Sequence, residues 1–219
     1  MQFFGRRFNF KDGVAVDFLN RRKQEEQVKK EGRLPPGQSL TQKFPVLTYG
    51  PNPTFDPATW DLHVFGEVES EKRWSWEEFT KLPTTKVKVD IHCVTRWSKF
   101  DTNWEGVLFR DFVNLFSVKP TAKFVIAHCD YGYTTNTPLE AMMEDNVLLA
   151  YKYDGKDLEP DHGGPLRTLV PKLYFWKSAK FLRAVEFSPV DKPGFWENAG
   201  YHNEADPWKE ERYGRRGFF

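Results

Sequence analysis

The stretch Val87-Lys88-Val89-Asp90-Ile91-His92-Cys93, running on into Val94-Thr95-Arg96-Trp97-Ser98, bears on the fold class and the chemistry together. Its apolar residues fall on every second position. Val87, Val89, Ile91 and Cys93 therefore share one face of a strand, and Lys88, Asp90 and His92 the other. Cys93 is expected to face inward at the strand's end, with a cation and hydroxyls a few residues behind it. A nearby positive charge favours thiolate, the form that binds a soft metal or attacks as a nucleophile.

Working outward, residues 60–65 alternate well enough for a strand closed by Gly66, and Ser75 precedes Trp76-Glu77-Glu78-Phe79 as the N-cap of a short helix. Residues 108–116 have helical apolar spacing. Residues 124–127 form a short apolar run that suits a buried strand. Thr137-Pro138-Leu139-Glu140 reads as a capping box for a helix reaching Met143, and β-like runs follow at 169–170 and 181–187. Residues 44–57, punctuated by proline, read as an ordered loop. Residues 16–33 read as a charged surface helix stopped by Gly32 and Pro35-Pro36-Gly37. Short strands and helices without regular βαβ spacing or a glycine-rich fingerprint predict a single α+β domain and argue against a doubly wound nucleotide binder.

With 219 residues and 39% hydrophobic content the chain can bury one good core. Its 32 Lys plus Arg against 31 Asp plus Glu give no bulk electrostatic reason to expect nucleic acid or an anionic membrane as partner. Two cysteines are too few for a disulfide scaffold, and no apolar run approaches the roughly 18 residues that a membrane span needs. Arg6 and Arg7 are followed by no apolar h-region, so no export signal is expected and a cytoplasmic location is. The 8 Trp and 16% aromatic content supply rings for a core or for pocket walls.

Two dipeptides, His92-Cys93 and His128-Cys129, raise a zinc reading. Adjacent residues of a strand point to opposite faces, so all four cannot converge on one ion without both strands breaking. A pair of buried structural thiols and a cysteine nucleophile with a histidine base both remain open. The other concentration of chemistry is His162-Gly163-Gly164-Pro165-Leu166-Arg167, then Lys172, Lys177-Ser178-Ala179-Lys180 and Arg183. Two glycines permit close backbone approach, and Arg167, Ser178 and Lys180 are donors suited to phosphate oxygens. The same residues would equally make a solvated basic face on a Gly-Pro turn.

Taken in order, the Pro-rich segment Phe44-Pro45-Val46-Leu47-Thr48-Tyr49-Gly50-Pro51, a strand ending in Cys93, His-Gly-x-Pro-x-Arg at 162–167 and Ser-x-Lys at 178–180 resemble the molybdopterin-binding domain of sulfite oxidases, plant nitrate reductases and bacterial methionine-sulfoxide reductases. Cys93-Val94-x-x-Trp97-Ser98 and the run Phe195-Trp196-Glu197-Asn198-Ala199-Gly200-Tyr201-His202-Asn203 look most like the short bacterial members. The resemblance divides the chain into a charged helical extension (1–43), the oxidoreductase domain (44–208) and a tail (209–219). It implies a mixed-sheet α+β domain of the sulfite-oxidase type and a molybdenum-molybdopterin cofactor with Cys93 as the metal's ligand. His162, Arg167, Ser178, Ala179 and Lys180 would hold the pterin and its phosphate, with Thr48, Tyr49, Cys129 and Asp130 closing over it. Arg96, Tyr201 and His202 would serve the substrate.

The resemblance further implies two-electron oxygen-atom transfer on a small-molecule substrate, an oxyanion or a sulfoxide. The Pro-rich loop lacks the Arg-Asn-His run of eukaryotic sulfite oxidases, and one expected substrate-site arginine with it, which weighs against sulfite. Without a His-Pro-Gly-Gly haem motif or an immunoglobulin-like domain in the sequence, electrons are expected to pass to or from a separate partner. The rivals are a cofactor-binding module without turnover and a cysteine hydrolase.

Overall fold

The structure, a computed structural model, describes residues 22–214. The readings of residues 1–21 and 215–219, including the export-signal expectation and the first part of the charged helix, lie outside the described residues. Within them a helix covers 22–30 (α1), largely exposed as its composition requires.

Eleven strands follow: β1 (Ser39–Leu40), β2 (Asp61–Gly66), β3 (Lys72–Ser75), β4 (Thr85–His92), β5 (Trp97–Leu108), β6 (Phe124–Cys129), β7 (Thr134–Pro138), β8 (Leu148–Tyr153), β9 (Lys156–Asp157), β10 (Arg167–Leu169) and β11 (Leu182–Ser188). They form two sheets. One has the order β1-β5-β8-β10, with β4 on the other side of β5 and β9 on β8; the second runs β3-β2-β11-β6-β7. Both are mixed: β1 lies parallel to β5 and β11 parallel to β2, while the other pairs are antiparallel. The α+β, mixed-sheet expectation is met. The main core joins the sheets, with Leu62, Val64, Val125 and Val185 of the second packed with Val107, Leu149 and Tyr151 of the first.

The short helices carry apolar faces onto this core. In α2 (Trp76–Thr80) the Ser75–Glu78 capping box is formed in both directions, and Phe79 is buried beneath it. The helix expected over 108–116 is only α3 (Phe109–Val113), because Leu108 still belongs to β5; it buries Phe109 and Phe112. Burial of this kind is worth about 1.5–3 kcal/mol per side chain. The helix α4 (Leu139–Met142) forms, but Thr137 lies in β7, and Pro138 at the N-cap supplies no side-chain cap, so the expected capping box is absent. Packing runs across residue 44: β1 hydrogen-bonds β5 where the turn after Cys93 ends, pairing Ser39 with Trp97 and Leu40 with Ser98.

Candidate active site

Strand β4 alternates as far as Val89 and Ile91, which pack into one core cluster, and ends at His92; Cys93, just beyond it, is buried in a different cluster with Val94. A register irregularity between Val89 and Ile91 disturbs the polar face, and His92 is buried too, its Nδ1 2.8 Å from Ser98 Oγ. After Cys93 the chain makes a tight turn in which Arg96 N–H donates to Cys93 O (3.0 Å) and Cys93 N–H to Trp97 O (2.9 Å). Arg96 closes it at φ 74. Burial pushes the Cys93 thiol above its ordinary pKa, while hydrogen bonds at Thr95, whose Oγ1 is 3.2 Å from Sγ, and the charge of Arg212 pull the other way.

Cys93 opens onto a cavity of about 450 Å³. Its wall gathers the 44–51 loop, the Cys93 turn, residues 130–133 beyond β6, the 162–167 segment, residues 175–181 and the 195–201 segment. Of the residues singled out in the sequence, Thr48, Tyr49, Cys93, Asp130, His162, Arg167, Ser178, Ala179, Lys180 and Tyr201 line it.

Three do not. Cys129 is packed into the core between the sheets, where burial drives its thiol pKa far up; the strand simply ends with that side chain inward. Arg96, 64% exposed at its side chain, reaches Gly37 O and Glu210 outside the cavity. His202 turns its Nδ1 to the backbone N–H of Glu204 and Ala205 and toward Glu211.

The cradle proposed at 162–180 is a built structure and not a solvated face. Arg167 is 1% exposed, donates to His162 O (2.7 Å) and Ser178 O (2.6 Å), and lies over the Phe175 ring at 4.3 Å. Burial lowers its pKa to about 9, which leaves it cationic at neutral pH. Lys180 donates to Leu47 O (2.9 Å), joining the Pro-rich loop to the cradle; burial and then Arg167 lower its pKa to about 8. Gly163 adopts φ +99, and a Cβ there would come within 2.7 Å of Lys180 Cγ, so only glycine allows the approach. His162 stacks on Phe44 at 3.9 Å, and its buried Nδ1 has no hydrogen-bond partner among the described residues.

The side of the cavity around Cys93 is aromatic. Cys93 and Val94 cluster with Trp176, Trp97, Trp196 and Tyr201, and Tyr201 packs edge-on to Trp176 (5.1 Å) and against Trp196 (4.9 Å). Burial raises the Tyr201 pKa, with Tyr213 and Cys93 adding to it, so its hydroxyl stays protonated. Sequence reasoning had not assigned Trp176, Trp196, Phe175 or Thr95 to the site. The runs Tyr174-Phe175-Trp176 and Phe195-Trp196 were the available signal.

Residues 49–196 match the family described as "Oxidoreductase molybdopterin binding domain". The chain belongs to this family. As a sulfite-oxidase-type molybdopterin-dependent oxidoreductase it is 45% identical over 183 residues to the uncharacterized oxidoreductase YuiH of Bacillus subtilis, covering 83% of this chain and 92% of that one. It is 28% identical to the putative protein-methionine-sulfoxide reductase subunit YedZ1 of Azospira oryzae (76% of this chain, 64% of that one) and 27% identical to the protein-methionine-sulfoxide reductase catalytic subunit MsrP of Campylobacter jejuni (66% and 54%). The chain thus spans well under the full length of those two relatives. The sulfane dehydrogenase SoxCD of Paracoccus pantotrophus shares the fold with a TM-score of 0.60 at 19% identity, covering 72% of this chain and 46% of that one. The cofactor of the family is molybdenum-molybdopterin, and the cavity fits it. It offers a thiol with a hydroxyl beside it, two cations for a phosphate, and an orphaned ring nitrogen for a heterocycle.

Proposed function

We propose that this oxidoreductase transfers oxygen to or from an uncharged sulfur centre of the sulfoxide type, with Cys93 as the protein's ligand to molybdenum. The aromatic surround of Cys93 carries this reading: the guanidinium expected to meet an oxyanion, Arg96, is outside the cavity, and Tyr201 offers a neutral donor instead. A sulfite dianion placed among Trp97, Trp176 and Trp196 would lose its hydration without a cation to replace it. A sulfoxide would keep its one strong acceptor on Tyr201 and bury its substituents against rings. The two methionine-sulfoxide reductase names among the relatives support the same substrate class.

His162, Arg167, Ser178 and Lys180 would hold the pterin and its phosphate, and Cys93 the metal. Bound there, the group supplies two-electron oxygen-atom transfer. The chain's part is positional and electrostatic. The rings exclude water, and the Tyr201 hydroxyl donates to the sulfoxide oxygen as negative charge grows on it. Reduction of a sulfoxide takes up two electrons and two protons and releases a thioether and water, so a separate electron-transfer partner is part of the proposal. No helix among the described residues is long and apolar enough to cross a membrane. Both cysteines are buried free thiols, and the cytoplasmic location remains part of the proposal.

The test is turnover of cofactor-loaded protein with a reduced dye as electron source and alkyl or aryl sulfoxides as substrate, beside sulfite oxidation with an electron acceptor. The proposal expects kcat/KM for the best sulfoxide to exceed that for sulfite by at least roughly tenfold. A preference for sulfite would overturn it.

A further inference from the structure

Gln38 and Arg212 are 174 residues apart and both fall outside the family match at 49–196. Each is only 4% exposed, and they converge on the turn that presents Cys93. The Gln38 side-chain amide donates to Cys93 O and Trp97 O, both at 3.1 Å, gripping the two ends of the turn. Arg212 donates through Nη1 to Val94 O (2.8 Å) and through Nη2 to Gln38 Oε1 (3.0 Å). Its guanidinium lies 4.8 Å from the centre of the Tyr174 ring. Arg212 also acts through its main chain, its carbonyl accepting from His202 N–H at 3.2 Å, next to Tyr201. Gly37 sits where the two segments meet at φ +66, a conformation that favours glycine, with the ends of the Glu210, Arg96 and Arg212 side chains close to it.

We propose that Gln38 and Arg212 are positioning residues that fix the Cys93 turn and hold Cys93 in register with Tyr201 on the aromatic side of the cavity, an inference that rests on Cys93 being the metal's ligand. Within the turn the Cys93 carbonyl accepts from Arg96 N–H and gains a second donor in Gln38, while the Val94 carbonyl, in buried surroundings, is met by Arg212. Without Arg212 the Val94 carbonyl would be paired only by rotating its peptide plane, and without Gln38 the two ends of the turn would lose the amide that ties them together; either change would let the Cys93 side chain swing. A metal ligand tolerates little such movement.

The test compares Gln38→Leu, Arg212→Met and Arg212→Lys with Phe109→Leu, a core change remote from the cavity chosen for a similar loss of thermal stability. Each is made as the full chain with cofactor. Two readouts do not depend on turnover: the rate at which iodoacetamide alkylates Cys93, followed by peptide mass spectrometry, and the thiolate-to-metal charge-transfer absorption. The expected result is a roughly tenfold or greater rise in alkylation in Gln38→Leu and Arg212→Met, with a shifted band, an intermediate effect in Arg212→Lys, and neither change in Phe109→Leu. If Arg212→Met does not fold, Gln38→Leu and Arg212→Lys decide the matter in its place. Wild-type alkylation and absorption in those variants, or equal changes in Phe109→Leu, would overturn the proposal. Alkylation reads the turn whether or not Cys93 binds metal. An unaltered band in Cys93→Ser would therefore refute ligation alone, and alkylation would still judge the clamp.

Discussion

Replacing Lys177 with methionine should cost the protein about 3–5 kcal/mol, because it strips one partner from a fully buried ion pair. Lys177 Nζ lies 2.7 Å from Glu197 Oε1, with the two side chains 0% and 2% exposed. The ammonium also donates to Asn136 O (2.8 Å) and Oδ1 (2.9 Å), and Glu197 Oε1 accepts from Thr135 Oγ1 (3.1 Å) and Trp176 Nε1 (3.0 Å). Burial alone lowers the Lys177 pKa, and Glu197 is the main influence opposing it. Methionine fills most of the space but leaves the carboxylate desolvated and Asn136 without its donor. Changing Glu197 to leucine as well removes the stranded charge, so the double variant should be more stable than the two single losses summed would allow, by roughly 1–3 kcal/mol. Urea unfolding followed by tryptophan fluorescence gives the numbers, with unchanged slopes required for the comparison. A loss under about 1 kcal/mol for Lys177→Met, or simple additivity in the double variant, would refute the reasoning.

Three further outcomes follow from the site. Tyr201→Phe should lower kcat with a sulfoxide by roughly 10²-fold while KM moves little, as expected for a donor whose bond strengthens with developing charge; steady-state kinetics check it. Lys180 loses its charge as pH rises through about 8, so phosphate-bearing cofactor should be held more weakly above that pH than below it. Lys180→Arg, cationic throughout, should flatten the dependence when pterin retention is measured against pH. Gly163→Ala, with a Cβ forced to 2.7 Å from Lys180 Cγ at φ +99, should lose about 1–3 kcal/mol in urea unfolding and retain less pterin.

The parts of the molecule legible in the sequence were those governed by local periodicity and backbone chemistry. Val89 and Ile91 share a face because a strand alternates, and Ser75 caps α2 because its hydroxyl and Glu78 satisfy each other's backbone. The long strand β5 was missed because its buried positions include polar Ser98 and Thr102, which survive there only through partners elsewhere in the fold: His92 and Gln38 for Ser98, Val89 O for Thr102. Cys129 resembled a site residue because sequence cannot tell a thiol in the core from one in a cavity a few residues away. Arg96 was misplaced for a different reason. It is the left-handed residue that closes the turn, and its side chain meets Gly37 O and Glu210, both far from it in sequence. Segments expected only to flank the domain, at 38 and 212, reach its centre for the same reason: their partners are distant in sequence.

The central claim is that Cys93 binds molybdenum in a pterin-bearing cavity, and X-ray absorption at the molybdenum edge tests it most directly. Wild type and Cys93→Ser, expressed in a host able to make the cofactor, are compared at matched pterin content. The account predicts one fewer sulfur in the first coordination shell of the variant, with the pterin retained by His162, Arg167, Ser178 and Lys180. The same sulfur shell in both proteins, or no molybdenum in the wild type, would contradict it.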